Sequence, residues 1–338
     1  MVPRIRSFIA WLVVATVGTI AIATASLYQF AHAPLPLRGA LPKAFELKSG
    51  SSLRSIARQL VAADVLTEPW RFELLARLQG DDASLKAGSY EIAAAITPLE
   101  LIEKLRRGDV VQEQITLVEG WTLRQIRQAL AEHPYLRHDS SMLSEAQLLE
   151  RLGVSGYASG EGLFFPDTYR FSRGASDLDV LRQSREGMQK RLDSLWSARA
   201  SDLPFNSAYE ALILASIVEK ETGAEADRPL VAAVFVNRLR RGMKLQTDPS
   251  VIYGLGVAFD GNLRKADLQR DTPFNTYTRP GLPPTPISMP GLASLSATLN
   301  PPKTDALYFV ARGDGTSHFS PSMEEHNRAV DRYQRGRH

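Results

Sequence analysis

The sequence predicts an α+β protein in three parts: a single N-terminal transmembrane helix, a small α+β module, and a larger mixed α+β domain. Three observations carry that reading. Residues Phe8 to Leu27 are twenty consecutive uncharged, mostly apolar residues, enough to span a bilayer. Short strand-like and helix-like patterns then alternate as far as Gly108. From Val110 longer helical patterns take over, broken by proline- and glycine-rich stretches. The expected division is 1–7 cytoplasmic N-terminus, 8–28 membrane anchor, 29–43 linker, 44–109 module and 110–338 large domain, within a chain of 338 residues.

Composition narrows the function classes. The 44% apolar and 23% charged content is that of a folded protein with ample core. The net charge of +3 is small and the basic residues are dispersed, so no nucleic-acid partner is indicated. With no cysteine in the chain, disulfides, thiolate metal sites and a cysteine nucleophile are excluded.

The elements follow in order. Arg4 and Arg6 precede the apolar stretch and no Lys or Arg follows before Arg38. Positive charge stays inside, so the N-terminus is expected in the cytoplasm and the rest of the chain beyond the inner membrane, in the periplasm. Ala21-Ile22-Ala23 and Ala23-Thr24-Ala25 offer the competing reading of a cleaved signal peptide. The apolar stretch exceeds a usual signal core, which favours a retained anchor. Pro34, Pro36 and Pro42 mark the linker. Phe45 to Lys48 reads as a strand, and Ser51 or Ser52 caps a helix to about Ala62 with Leu53, Ile56, Ala57 and Leu60 on its apolar face. A second helix from Glu68 or Pro69 to Leu78, a strand Gly88 to Ile92 and a helix Pro98 to Arg107 complete the module.

In the large domain, Gln112 to Val118 reads as a strand, Glu119-Gly120 as a turn, and Thr122 to Glu132 and Ser140 to Leu152 as helices. Glu161 to Tyr169 is a Gly/Pro-punctuated aromatic loop with the character of a binding rim. A helix Leu178 to Ala198 follows. The stretch Ser207 to Gly223 is central. Ser207 and Glu210 form a capping-box pattern, and Ala211 to Val218 is apolar except for Ser216. Such a helix belongs inside a protein. It ends in Glu219-Lys220-Glu221, with Gly223 placed to terminate it. Asp227 with Pro229 opens another helix, its apolar face Leu230, Val231, Val234, Phe235 and Leu239, closing at Gly242. Leu245 to Pro302 reads as one long irregular segment, functional rather than disordered. Ala306 to Val310 and Ser317 to Phe319 are strands, and the closing helix Met323 to Arg335 carries Arg328, Arg332 and Arg335, with Arg337 beyond.

Carboxylate chemistry is what these residues suggest. Glu219 lies over Leu212 and Ala215 on a face expected to be buried, and two carboxylates in a last helical turn oppose the negative end of the helix dipole. Both effects favour a protonated carboxyl, which is what a general acid needs. The alternative is that Glu219-Lys220-Glu221 is simply the helix's solvated end. Six histidines form no ligand pattern, and no nucleotide, dinucleotide or serine-hydrolase motif occurs, so no metal or cofactor is called for. A glycosidase uses two carboxyl groups, and Glu161, Glu221 and Asp248 are candidate partners. Asn237, Gln246, Tyr253, Asn275 and Tyr277 are candidates for holding sugar, although Asn237 and Arg238 would serve equally to fasten the irregular segment. His318, after the ARGDGTS turn, is a further candidate for lining the site.

At this point several ordered motifs resemble one family. SIVEKET at 216–222, QTDPSVIYGLG at 246–256, NTYTRPGLPPTPISMPG at 275–291, LNPPKTDALYFVARGDGTSHFS at 299–320 and EGLFFPDTY at 161–169 are similar to those of the endolytic murein transglycosylases, the YceG-like family. SGSSLRSIARQL, at the front of the module, resembles a LysM-type unit, which implies binding of N-acetylated sugars; a purely packing role for the module is the alternative. The family resemblance implies non-hydrolytic cleavage inside peptidoglycan strands, between N-acetylmuramic acid and N-acetylglucosamine, leaving 1,6-anhydro-N-acetylmuramic ends. It places the catalytic glutamate at Glu219. It also implies nascent glycan strands and the peptidoglycan synthases that make them as partners, with a role in terminating strands. Two rivals remain: a hydrolytic muramidase using a second carboxylate, and a non-enzymatic wall-binding scaffold.

Overall fold

A computed structural model describes residues 2–37, 40–48, 50–80, 85–221 and 224–336, with side chains from Trp11 onward. The chain divides into two compact units, residues 1–113 with 171–174, and residues 114–170 with 175–338. The expected helix stop at Gly223 and the basic residue Arg337 lie outside the described residues.

The first unit begins with helix α1 (Val2–His32). Its segment Trp11–His32 is long and apolar enough to cross a membrane. The hydroxyls of Thr16, Thr19 and Thr24 each donate to the carbonyl four residues back, all at 2.8 Å, so these three hydroxyls are paired within the helix. It runs past the expected end of the anchor at residue 28, and Ala31 joins a buried core. Strand β1 (Lys43–Leu47) pairs antiparallel with β2 (Gly88–Ile92), Phe45 opposite Tyr90. Between them lie α2 (Leu53–Ala62) and α3 (Pro69–Leu78), with α4 (Pro98–Arg107) following. Ser52 caps α2, and its face Leu53, Ile56, Ala57 and Leu60 is buried against Phe72, Tyr90, Leu101 and Leu105. Thr97 and Glu100 form a full capping box on α4.

Strands β3 (Gln112–Thr116) and β4 (Thr168–Ser172) make a second two-stranded sheet. The strand β4 takes over the end of what reads in sequence as a continuous loop. Helix α5 (Leu123–Glu132) is capped by Thr122. Helix α6 (Glu145–Arg151) is shorter than expected because Ser144 and Gln147 form its capping box. Ser140, expected to open that helix, instead donates from both its amide and its hydroxyl to Asp177. Then come α7 (Asp177–Ser197), α8 (Ala208–Glu221) and α9 (Arg228–Arg240).

The segment expected to be irregular holds three short α-helices, α10 (Asp248–Leu255), α11 (Lys265–Gln269) and α12 (Leu292–Leu299), and a 3-10 turn at Gly256–Ala258. Proline at the start of α10 opens a helix rather than breaking one, which the density of flanking Gly and Pro disguised. The hairpin β5 (Tyr308–Ala311)–β6 (Ser317–Ser320) and α13 (Met323–Tyr333) close the unit. Helix α13 stops at Tyr333, two residues before the expected end; Arg328 on it pairs with Glu324, and Arg335 just beyond its end pairs with Asp331.

Helix α8 lies at the centre of the second unit's core. Every residue from Ala211 to Val218 is buried, and Leu214, Ile217 and Val218 pack with Val231, Phe235 and Val236 of α9 and with Ile287 and Ala297. The capping box at its start is displaced by one residue. Ser207 accepts from the Glu210 amide, but the Glu210 carboxylate reaches back to the amide of Asn206 at 2.7 Å.

Candidate active site

The one polar residue in the buried run of α8 explains how the site is assembled. Ser216 Oγ accepts from the Ile287 amide at 3.0 Å, and its carbonyl accepts from Ser288 Oγ at 3.1 Å. The irregular segment 285–291 is thereby laid against α8. On its other side, Met289 exchanges backbone hydrogen bonds with Gly120 (2.8 Å) and Trp121 (2.7 Å). Three pieces of chain, the β3–α5 turn, α8 and the segment 285–291, are thus stitched into one corner.

Glu219 projects into that corner, and its Oε2 accepts from the Gly291 amide at 2.9 Å. It is half-buried rather than enclosed, which corrects the expectation of a buried face. Glu119 reaches the same glycine from the β3–α5 turn. A Cβ on Gly291 would fall 1.8 Å from Glu119 Oε1, so the approach needs glycine for space rather than for backbone freedom. Glu119 is an exposed residue, yet its carboxyl tip is turned onto the protein. Desolvation, followed by the neighbouring Glu219, pushes its pKa up, and Arg228 opposes them. Gly120, at φ +75°, lets the turn pass close to the Lys220 and Glu219 side chains. Sequence reading had placed Glu119 in a turn and missed it as a site residue. Its only local signal is a carboxylate next to a glycine at the end of a strand.

Lys220 borders a cavity of about 850 Å³ whose wall includes Thr122, Arg124, Glu145, Glu161 and Tyr253. Glu161 is only 3% exposed. One of its oxygens accepts from the Leu123 amide at 2.9 Å and the other from Tyr253 Oη at 3.1 Å. Burial pushes its pKa to about 7 even though both hydrogen bonds pull the other way. The same burial, reinforced by Glu161, raises the Tyr253 phenol.

A second carboxylate group gathers around Glu221, whose Oε2 accepts from Thr247 Oγ1 at 2.8 Å. Burial and then Asp248 raise its pKa, while the Thr247 hydrogen bond and Arg238 lower it. Asp248 is exposed and accepts from Tyr277 Oη at 2.6 Å. Gln246 stands exposed beside it with φ +52°.

The remaining candidates have other neighbours. Asn237 donates to the carbonyls of Thr304 and Ala306 at 2.8 and 3.0 Å. Arg238 donates to Leu307 and Leu245 carbonyls at 2.7 and 2.6 Å. Both fasten loop to helix. Asn275, 1% exposed, shares its two N–H groups among the carbonyls of Asp267, Leu268 and Arg270 and accepts from the Tyr277 amide, so both ends of its amide are engaged by the fold. His318 lies on β6 with its ring 5.7 Å from that of Tyr333.

The fold and the corner define a class: a mixed α+β protein whose central buried helix ends in a half-buried glutamate, next to a lysine that lines a cavity and with a second carboxylate near it. The chain belongs to the YceG-like family, whose model matches residues 45–332. It is 33% identical over 312 residues to the endolytic murein transglycosylase of Bacillus subtilis (strain 168), covering 85% of this chain and 83% of that protein. It is 30% identical to the endolytic murein transglycosylase of Streptococcus pneumoniae (strain D39), covering 84% of this chain and 57% of that longer protein. The crystal structure of a putative yceG-like protein from Listeria monocytogenes is similar at a TM-score of 0.52 and 31% identity, covering 84% of this chain and 97% of that one.

Proposed function

We propose that the chain is a lytic transglycosylase that cleaves the N-acetylmuramic acid–N-acetylglucosamine bond within peptidoglycan strands, with Glu219 as its acid and base. The observation that carries this is the placement of Glu219: the end of a buried helix holds it, and one of its oxygens is anchored on the Gly291 amide. That leaves Oε1 to carry the proton. Glu219 donates to the glycosidic oxygen as the C1–O bond breaks. The carboxylate then takes the proton from the muramic C6 hydroxyl, whose oxygen closes on C1 to give the 1,6-anhydro end. No water is consumed, and the attacking group is already part of the substrate, so proximity supplies much of the advantage.

Around this centre, Glu161 and Tyr253 shape the cavity wall, while Gln246, Asp248 and Tyr277 offer an exposed polar edge to sugar and Glu221 supports that edge through Thr247. Asn237 and Asn275 hold the loops, and His318 lies on the hairpin. The apolar N-terminal helix tethers the enzyme to the inner membrane with its catalytic unit in the periplasm. From there it meets nascent strands and their synthases and terminates them. The module in the first unit, LysM-like in its strand–helix–helix–strand order, holds glycan.

Mass spectrometry on the products from uncrosslinked glycan strands tests the reading, using wild type and Glu219→Gln. Ends one water lighter than a reducing sugar, lost in the variant, are the expected result. Ordinary reducing ends from the wild type would replace it with hydrolysis. Glycan binding without cleavage by the wild type would favour a scaffold.

A further inference from the structure

The three helices of the module meet solvent in different ways. Helix α2 turns Arg54 and Arg58 outward, and α4 turns out Glu100, Arg106 and Arg107. The exposed positions of α3 are Trp70, Leu74, Arg77 and Leu78, with Trp70 58% and Leu78 68% exposed. Steps of four residues put the three apolar side chains along one side of the helix. The acidic residues at hand are already engaged: Glu68 pairs with Arg71 at 2.8 Å, and the mostly buried Glu73 lies 3.7 Å from Arg54 and 3.9 Å from Arg77. An outward face that is apolar and basic suits an interface better than water.

Helix α1 indicates what covers that face. Trp11 and Tyr28, both largely exposed, stand 17 positions apart, about 26 Å along the helix. That is close to a hydrocarbon core of about 30 Å bounded by aromatic residues, so the outer boundary falls near Tyr28. Phe30, two residues further on, packs against the module's core. Arg71 joins the two elements, its guanidinium 5.8 Å from the Phe30 ring centre and 5.3 Å from that of Trp70. The apolar face of α3 therefore begins at the level of the membrane boundary.

We infer that α3 docks on the outer surface of the same bilayer that α1 spans, with Trp70, Leu74 and Leu78 entering the lipid interface and Arg77 directed to the phosphates. This rests on the reading of α1 as a membrane span. The occupant is a lipid surface for two reasons: the face adjoins the outer end of the span, and indole, leucine and guanidinium side chains together suit the headgroup region. Docked in this way, the module is held to the bilayer by α3 as well as by α1, and does not swing about the end of its tether.

The test places nitroxide labels on single cysteines in the full chain, which has no cysteine of its own, in vesicles of phosphatidylethanolamine and phosphatidylglycerol. Leu74→Cys reports on the face, Arg58→Cys on α2 is the solvated control, and Ile20→Cys reports on the span. Leu74 and Arg58 are both exposed, so neither change removes a buried contact. At position 74, collisions with dissolved oxygen are expected to exceed those with a water-soluble nickel chelate several-fold, at a depth of about 5–10 Å into the headgroup–acyl boundary. At position 58 the ratio is expected to invert. Nickel access at 74 equal to that at 58, with position 20 in lipid, overturns the docking and leaves the span standing. Shielding of 74 from both reagents also overturns it, and marks a protein on that face, such as a second copy of the chain. Water access at position 20 defeats the span, and the docking falls with it.

Discussion

Glu161 and Glu219 belong to the same unit, one in the wall of the large cavity and the other on the helical turn that borders it, and their surroundings differ in kind. Glu161 is almost completely enclosed and has a partner on each oxygen, Leu123 on one and Tyr253 on the other. Glu219 is half-buried and is anchored by Gly291 on one oxygen, with Glu119 beside it. Burial pushes the Glu161 pKa up to about 7. A carboxyl with both oxygens engaged by the fold ties elements together, whereas the one with an oxygen left over is the one we propose as the acid. A perturbed pKa marks a structural knot as readily as a catalytic acid, and the unengaged oxygen separates them.

The comparison is most exposed to a pair of substitutions. Glu219→Gln is expected to lower kcat by roughly 10²–10⁴-fold while the thermal unfolding midpoint stays put. Loss of turnover on Glu161→Gln with unchanged stability would break the distinction.

Glu161 should dominate the pH dependence of stability. Its folded pKa of about 7 lies above the ordinary value of 4.5, so the folded protein binds the extra proton between those values. The stability it contributes is complete below about pH 4.5 and is lost as pH rises through 7, a change on the order of 3 kcal/mol. Thermal melts across that range should show the slope in wild type and a flatter curve in Glu161→Gln.

Ser216→Ala removes the acceptor for the Ile287 amide inside the core and should cost about 1–3 kcal/mol, measured by denaturant unfolding. Turnover should fall with it, because the segment that carries Gly291 is loosened. At the small end, Arg328→Ala breaks only an exposed pair on α13 and should change stability by less than about 0.5 kcal/mol.

Much of the first unit was legible from local pattern. The cap at Ser52, the face Leu53, Ile56, Ala57 and Leu60, and the strands around Phe45 and Tyr90 all follow from periodicity and capping within about ten residues. Helix α8 was legible because a run apolar on every side has only one place to go. Short helices α10 and α12 were not, since eight residues give too few turns for a period to stand out among glycines and prolines. Strand β4 was hidden for a related reason: its partner β3 lies far away in the chain, and no alternation near Thr168 announces it.

The candidate site divides along the same line. Residue identity and neighbouring pattern were enough to single out Glu219, its buried helix, the apolar N-terminal span and the family to which the chain belongs. They could not show that Asn237 and Asn275 are consumed by backbone carbonyls, or that Glu161 is a saturated knot. Nor could they find Glu119, whose link to Glu219 runs through a glycine 72 residues further along the chain. Helix formation and burial depend on side chains a few positions apart, which the chain order records. The convergence of two carboxylates on Gly291 depends on backbone hydrogen bonds between distant segments, and those exist only once the second unit has folded.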